Sequence, residues 1–174
     1  SRTPNSCDIV VWGIANPLSS PTLSAQKAAA SGTCAIPPDA LQLGGGTPLD
    51  TGDQRLYNAV YRNNSVWTAQ TINMNFGSGN VSATRWMQIN VSSWPSSVSF
   101  AQDSTFGADG IWYFYPTLMV DDSNNMGLVL ARSSASEYGS AFYSGRLATQ
   151  PLNALQASAL LKPGGANQNL IDSL

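Results

Sequence analysis

The chain has 174 residues, 10% of them charged, with 8 Lys and Arg against 10 Asp and Glu, no His, and a net charge of -2. This length suffices for one domain with a sizeable core. The sparse, balanced charge excludes the clustered cations that nucleic acid or anionic lipid requires, and the lack of His excludes Ser-His-Asp and Cys-His nucleophile systems and histidine-based zinc or haem sites built from this chain alone.

Lys27 and Lys162 are the only lysines, and Ser, Thr, Asn, Gln and Gly supply most of the polar surface. Soluble cytosolic domains are typically about a quarter charged, so a secreted or cell-surface protein is expected. No apolar run approaches the roughly 20 residues that span a bilayer, and no membrane insertion is expected. The chain opens at Ser1 with neither an initiator Met nor a signal peptide, and is expected to be a processed or excised product. Cys7 and Cys34 lie 27 positions apart; two thiols without His make a poor zinc site. In an oxidising compartment a disulfide is the simplest reading, against the alternative of two unpaired buried thiols.

In chain order, residues 1–7 read as a tail and residues 8–14 (DIVVWGI) as a first strand. Pro17 and Pro21 mark a turn, and residues 22–30 form a second strand weakened by alanine. Residues 31–53, rich in Gly and Pro, read as an irregular connection ending in a run of three glycines. Residues 56–62 and 66–72 flank Asn63-Asn64, a pair suited to a hairpin turn. A loop (NMNFGSGNVSA), a third strand over 84–91 and a short fourth over 98–103 complete this unit. Residues 104–113 cross to a second hairpin, 117–120 and 126–132 around DDSNN, followed by a strand over 140–147. Residues 151–162 fit a short helix or a fourth strand, with strand favoured by position, and 163–174 read as loop.

One pattern therefore occurs twice, about 60 residues apart, which marks stacked supersecondary units. Continuous apolar runs such as PTLMV and MGLVLA imply sheets buried on both faces, as in small four-stranded sheets stacked around an axis. The stretches LDTGDQRLYNAVYRNNSVWTAQT, TRWMQIN and YPTLMVDDSNNMGLVLARSSASEYGSAFYSGR, within residues 49–147, resemble blades of sialidase-like β-propellers, and more closely an uncharacterised group of secreted bacterial proteins with such blades.

The expected fold is all-β: antiparallel four-stranded blades, about two and a half of them, with 8–30 a partial blade, 31–53 the connection, and 56–103 and 116–162 whole blades. The alternative is a β-sandwich. Two and a half blades cannot close a ring, since propellers use at least four, so the terminal faces are expected to pack against further blades or another protein chain.

Sialidase-like chemistry needs an Arg cluster, an acidic proton donor and a Tyr activated by Glu. The chain has one adjacent Glu–Tyr pair, Glu137 and Tyr138, with neither an Arg-Ile-Pro motif nor a proper Asp-box. No catalytic residue and no cofactor are assigned. Asp121, Asp122, Ser123 and Asn124 offer hard oxygens to calcium, although a tight turn selects the same residues and is the preferred reading. Trp112, Tyr113, Phe114 and Tyr115 are candidate sugar-stacking aromatics, with packing between units as the competing role; Trp67 and Trp86 read as core. Asn63, Asn80 and Asn90 begin Asn-x-Ser triplets, which are glycan acceptors where the machinery exists. A non-catalytic structural or binding module is expected. The alternatives are a non-catalytic part of a sialidase-like hydrolase, whose acid, nucleophile and Arg cluster lie elsewhere, and a carbohydrate-binding β-sandwich.

Overall fold

Ten β-strands and no helix make up residues 6–30 and 34–169, which the computed structural model describes. The first five residues of the expected tail, the start of the connection (31–33) and the last five residues lie outside that range.

The strands form three open antiparallel sheets of 2, 4 and 4 strands. β1 (Ile9–Ala15) and β2 (Thr22–Ala28) make a two-stranded sheet. β3 (Leu56–Arg62), β4 (Ser65–Asn75), β5 (Asn80–Asn90) and β6 (Ser99–Phe106) follow one another as a meander, and β7 (Ile111–Val120), β8 (Met126–Ser134), β9 (Glu137–Arg146) and β10 (Ala159–Lys162) repeat it. The 60-residue sequence repeat is thus a repeat of one sheet topology.

The middle sheet is covered on both faces. Its cross-strand neighbours Ala69 and Trp86, with Trp67, pack against Tyr113, Leu118 and Val120 of β7, Leu128 and Leu130 of β8 and Phe142 of β9. Met87 and Ile89, with Val66 and Phe100, pack on Ile9, Val11 and Ala28 of the small sheet. Because alternate residues point to opposite faces, a strand whose two faces are both covered needs bulk at every position. β4 has it: all of Trp67 to Ile72 are buried. A two-sheet sandwich offers no place for this third layer.

Turn chemistry sets the hairpins. Asn63 and Asn64 take φ of 47° and 56°, the left-handed pair that a two-residue hairpin turn demands and that Asn tolerates. Asn16, with φ of 52°, opens the Pro-flanked turn between β1 and β2, closed by the Ser19 amide donating to its carbonyl. Gly13 of β1 lies under the Trp94 indole, where an added Cβ would come within 2.5 Å of the ring. Gln26 Nε2 donates to the Pro95 carbonyl (2.6 Å) and fastens the same loop to β2.

Several boundaries differ from the sequence expectation, those of β6 (Ser99–Phe106) and β9 (Glu137–Arg146) by up to three residues and others by more. β4 and β5 each run for 11 residues and pair in unbroken register from Ser65–Asn90 to Asn75–Asn80, so the expected loop shrinks to residues 76–79. β7 begins at Ile111 rather than at residue 117, because Pro116 does not bound the strand but sits at a bulge within it, between Phe114 and Thr117. A bulge spares Pro the ladder hydrogen bond it cannot donate. Residues 151–162 form no helix; only Ala159–Lys162 pair, as the short edge strand β10.

The 31–53 connection, in its described part, is more than a spacer. Ala40 and Leu49 exchange backbone hydrogen bonds of 2.8 Å, and both pack with Val81, Trp112, Phe114 and Ala131. The segment lies across one end of the outward face of the third sheet.

Candidate functional site

Cys7 and Cys34 form a disulfide beside Ile72 and Ala83. The sparse, balanced charge of the chain gives no hint of it, but Arg85 is the bolt of this region. Its side chain is 4% exposed and forms a two-pronged ion pair with Asp103, at 2.7 and 2.6 Å. Nη1 also donates to the Cys7 carbonyl (2.8 Å), and the guanidinium sits 5.4 Å from the centroid of the Phe100 ring. A lone Arg in a strand carries no sequence signal for such a role.

The suggested calcium ligands are engaged in turn geometry. Asp121 Oδ1 accepts from the amides of Ser123 (2.9 Å) and Asn125 (2.8 Å), and Oδ2 accepts from Asn125 Nδ2 (2.8 Å). These bonds to the Asn125 side chain and amide hold the Asp121 carboxyl below its usual pKa. Asn124 takes φ of 64°. Asn63 Nδ2 donates to the Asp122 carbonyl (2.8 Å) and to Asn124 Oδ1 (3.1 Å), tying the two repeated hairpin turns together. Asp121 and Asn124 thus serve the turn through their side chains, and Asp122 joins it through its carbonyl. Among the described residues, no group of three or more His, Cys, Asp or Glu is placed to hold a metal.

Of the Asn-x-Ser residues, Asn63 is exposed in its turn, and Asn80 and Asn90 are exposed at the two ends of β5. Asn90 Oδ1 accepts from the Ser92 amide (2.9 Å). Glu137 is held by Arg132 (2.8 and 3.2 Å), which also stacks on Phe142 at 3.9 Å.

The aromatic cluster divides. Trp112, Tyr113 and Phe114 are buried, Trp112 and Phe114 beneath the 40–49 segment and Tyr113 between the two large sheets, edge-on to Phe106. Trp112 and Tyr113 are thus core residues rather than ligand contacts. They lie inside β7, with a packed layer over each face. Tyr115 alone is turned outward, 40% exposed. Its φ of 50° places a bulky residue in the left-handed region, a conformation that costs roughly 1–2 kcal/mol. The surroundings hold it there: the Tyr115 amide donates to Thr71 Oγ1 (3.2 Å), and Asn58 Nδ2 donates to the Leu118 carbonyl (2.7 Å) just beyond the bulge.

Tyr57, which sequence reasoning passed over as a strand residue, meets the Tyr115 ring edge-on at 5.6 Å and 83°. Gly52, at φ of 71°, runs against both phenols: an added Cβ would lie 2.5 Å from Tyr57 Oη and 3.0 Å from Tyr115 Cε1. Asp50 Oδ1 fixes this turn by accepting from the Gly52 amide (2.7 Å). Burial, reinforced by Asp53 for Tyr57 and by Asp50 for Tyr115, raises both phenol pKa values, so both stay protonated at neutral pH. Beside Tyr115 an open groove of about 810 Å³ runs between the 39–50 segment and the outward face of β7, β8 and β9. Gln42 holds one wall, donating to the carbonyls of Thr47 (2.6 Å) and Gln168 (2.7 Å) and accepting from the Gln168 amide (2.7 Å).

Comparison with known proteins finds no family model, no curated protein and no solved structure that matches this chain.

Proposed function

We propose that the chain is a non-catalytic segment of a secreted or cell-surface β-propeller, a structural module whose two outermost sheet faces dock against further blades of the same architecture, on this polypeptide or another. The observation that carries this reading is the apolar character of both ends of the stack. At one end Trp12, Ile14 and Leu23 each keep 62% of their surface exposed on the outer face of β1 and β2, with Val10 beside them. At the other, Met119 (67%), Tyr143 (48%) and Val129 stand on the outward face of the third sheet. Scattered exposed apolar residues are ordinary, but contiguous apolar strips on opposite sheet faces mark association surfaces. The two repeated meanders and the layered packing support the propeller reading, and the disulfide fits an oxidising compartment.

Multi-angle light scattering on the isolated chain, across a dilution series, tests this. The expected result is concentration-dependent association that Trp12→Ser with Ile14→Ser and Leu23→Ser suppresses. A folded chain that stays monomeric at every concentration would sink the proposal.

A further inference from the structure

Nothing in the assembly reading requires the groove beside Tyr115, yet three separate features shape it. The bulge in β7 re-aims one residue: Phe114 and Pro116 are buried on either side while the Tyr115 ring stands out over the groove. Bulges commonly serve to redirect a side chain in this way, and backbone strain in a folded protein clusters at binding sites. Gly52 lets the wall close on the two phenols where any side chain would collide with Tyr57. Finally, the lining pairs an aromatic ring and apolar sheet floor with hydrogen-bonding groups, among them Asp39, Asp50, Thr117 and Ser140, and includes no Lys or Arg.

We propose that this groove binds a neutral oligosaccharide, with the Tyr115 ring as stacking platform and Asp39 and Asp50 accepting hydrogen bonds from sugar hydroxyls. The apolar face of a pyranose ring packs on an aromatic face, and its hydroxyls are donors that carboxylates satisfy. An acidic sugar would meet two carboxylates and no cation, so the lining selects against it. A compact organic cation also suits aromatics and carboxylates. However, enclosing one takes several ring faces around a small cage, whereas the aromatic lining here is the outward Tyr115 with the buried Phe114, and the groove is open and large. The site is bounded by this chain's own segments, but its floor belongs to the docking face of the third sheet: Thr117 and Val129 line the groove and Val129 pairs with Tyr143, so a blade docked there competes for the floor and the sugar is expected to bind the undocked chain.

The test is isothermal titration of the intact chain with cellohexaose, xylohexaose and mannohexaose, each to about 10 mM, beside tetramethylammonium. At least one hexasaccharide is expected to bind saturably. Tyr115→Ala is expected to weaken that binding about 10-fold or more, and Tyr115→Phe, which keeps the ring, to leave it within about threefold. Thr117→Trp, a change at an exposed floor position, is expected to block the groove and abolish binding; it decides the matter should Tyr115→Ala fail to fold. Binding of none of the three sugars, binding that survives every folded variant, or binding of tetramethylammonium alone would each overturn the proposal.

Discussion

Arg85 is the cation on which the packing of the disulfide strip against the middle sheet depends, and its partner Asp103 is the informative residue to remove. Asp103→Ala leaves a guanidinium whose side chain is 4% exposed with the Cys7 carbonyl and the Phe100 ring but no counter-charge. Breaking a fully buried pair from one side costs about 3–5 kcal/mol. Asp103 itself is 26% exposed, so water reaches the vacated position and screens part of the loss, and the expected cost falls to about 2–3 kcal/mol. Removing both partners for apolar residues of similar size (Arg85→Met with Asp103→Leu) abolishes the unpaired charge and is expected to cost less than Asp103→Ala alone. The assay is urea unfolding of the disulfide-intact chain, followed by the fluorescence of the buried Trp67 and Trp86, with the slope checked for constancy between variants. A loss below about 1 kcal/mol for Asp103→Ala, or a double variant less stable than the single one, would refute the claim that an uncompensated charge sets the cost.

Replacing Cys7 and Cys34 together by Ala opens a loop with a sequence separation of 27; chain entropy assigns that closure about 3.5 kcal/mol, read as a lower urea midpoint. Asn64→Gly is expected to be neutral or mildly stabilising, since Gly suits the second position of the turn. Asn63→Ala is expected to cost about 1–2 kcal/mol, because Ala is strained at positive φ and the bonds to the Asp122 carbonyl and Asn124 are lost; thermal unfolding of both variants checks the pair. Asp121 has a folded pKa below the ordinary 3.8, so its stabilisation of the 121–125 turn is present above that value and lost as pH falls through the lower, folded one. Protection of the Asn125 amide against hydrogen exchange should disappear over that acidic range in the parent chain and be weak at every pH in Asp121→Ala.

Much of the architecture was legible in the chain itself. The Asn63-Asn64 pair announced its turn because few residues other than Gly tolerate two successive positive φ values. The unbroken apolar runs PTLMV and MGLVLA misled: they lie in the third sheet, where Met119 and Val129 stay exposed on one face, while the sheet covered on both faces is built on β4 and β5, whose apolar residues alternate with Thr, Gln and Ser. Misplaced boundaries arose where a local signal had two meanings. Pro116 reads as the boundary before a strand over 117–120, yet a bulge accommodates it inside β7. FGSG is the turn that NMNFGSGNVSA contains, but flanking Asn and Ser concealed strand ends that the register holds in place. The candidate groove was barely legible. Trp112 and Tyr113 were indistinguishable from Tyr115 as aromatic side chains; the bulge that turns Tyr115 out, the 40–49 segment that covers Trp112 and the middle sheet that covers Tyr113 decide which of them is exposed.

Apolar strand runs, turn residues and Cys content are local properties, and through them the sequence by itself pointed to an all-β chain of repeated units, with a disulfide as the simplest reading of its two Cys. What required the tertiary structure was every relation between distant segments: Arg85 with Asp103 and Cys7, Asn63 with Asp122 and Asn124, Gly52 with Tyr57 and Tyr115. Such contacts are set by the stagger and stacking of whole sheets, and a one-residue bulge reverses which face a side chain meets. No pattern confined to one strand encodes that outcome.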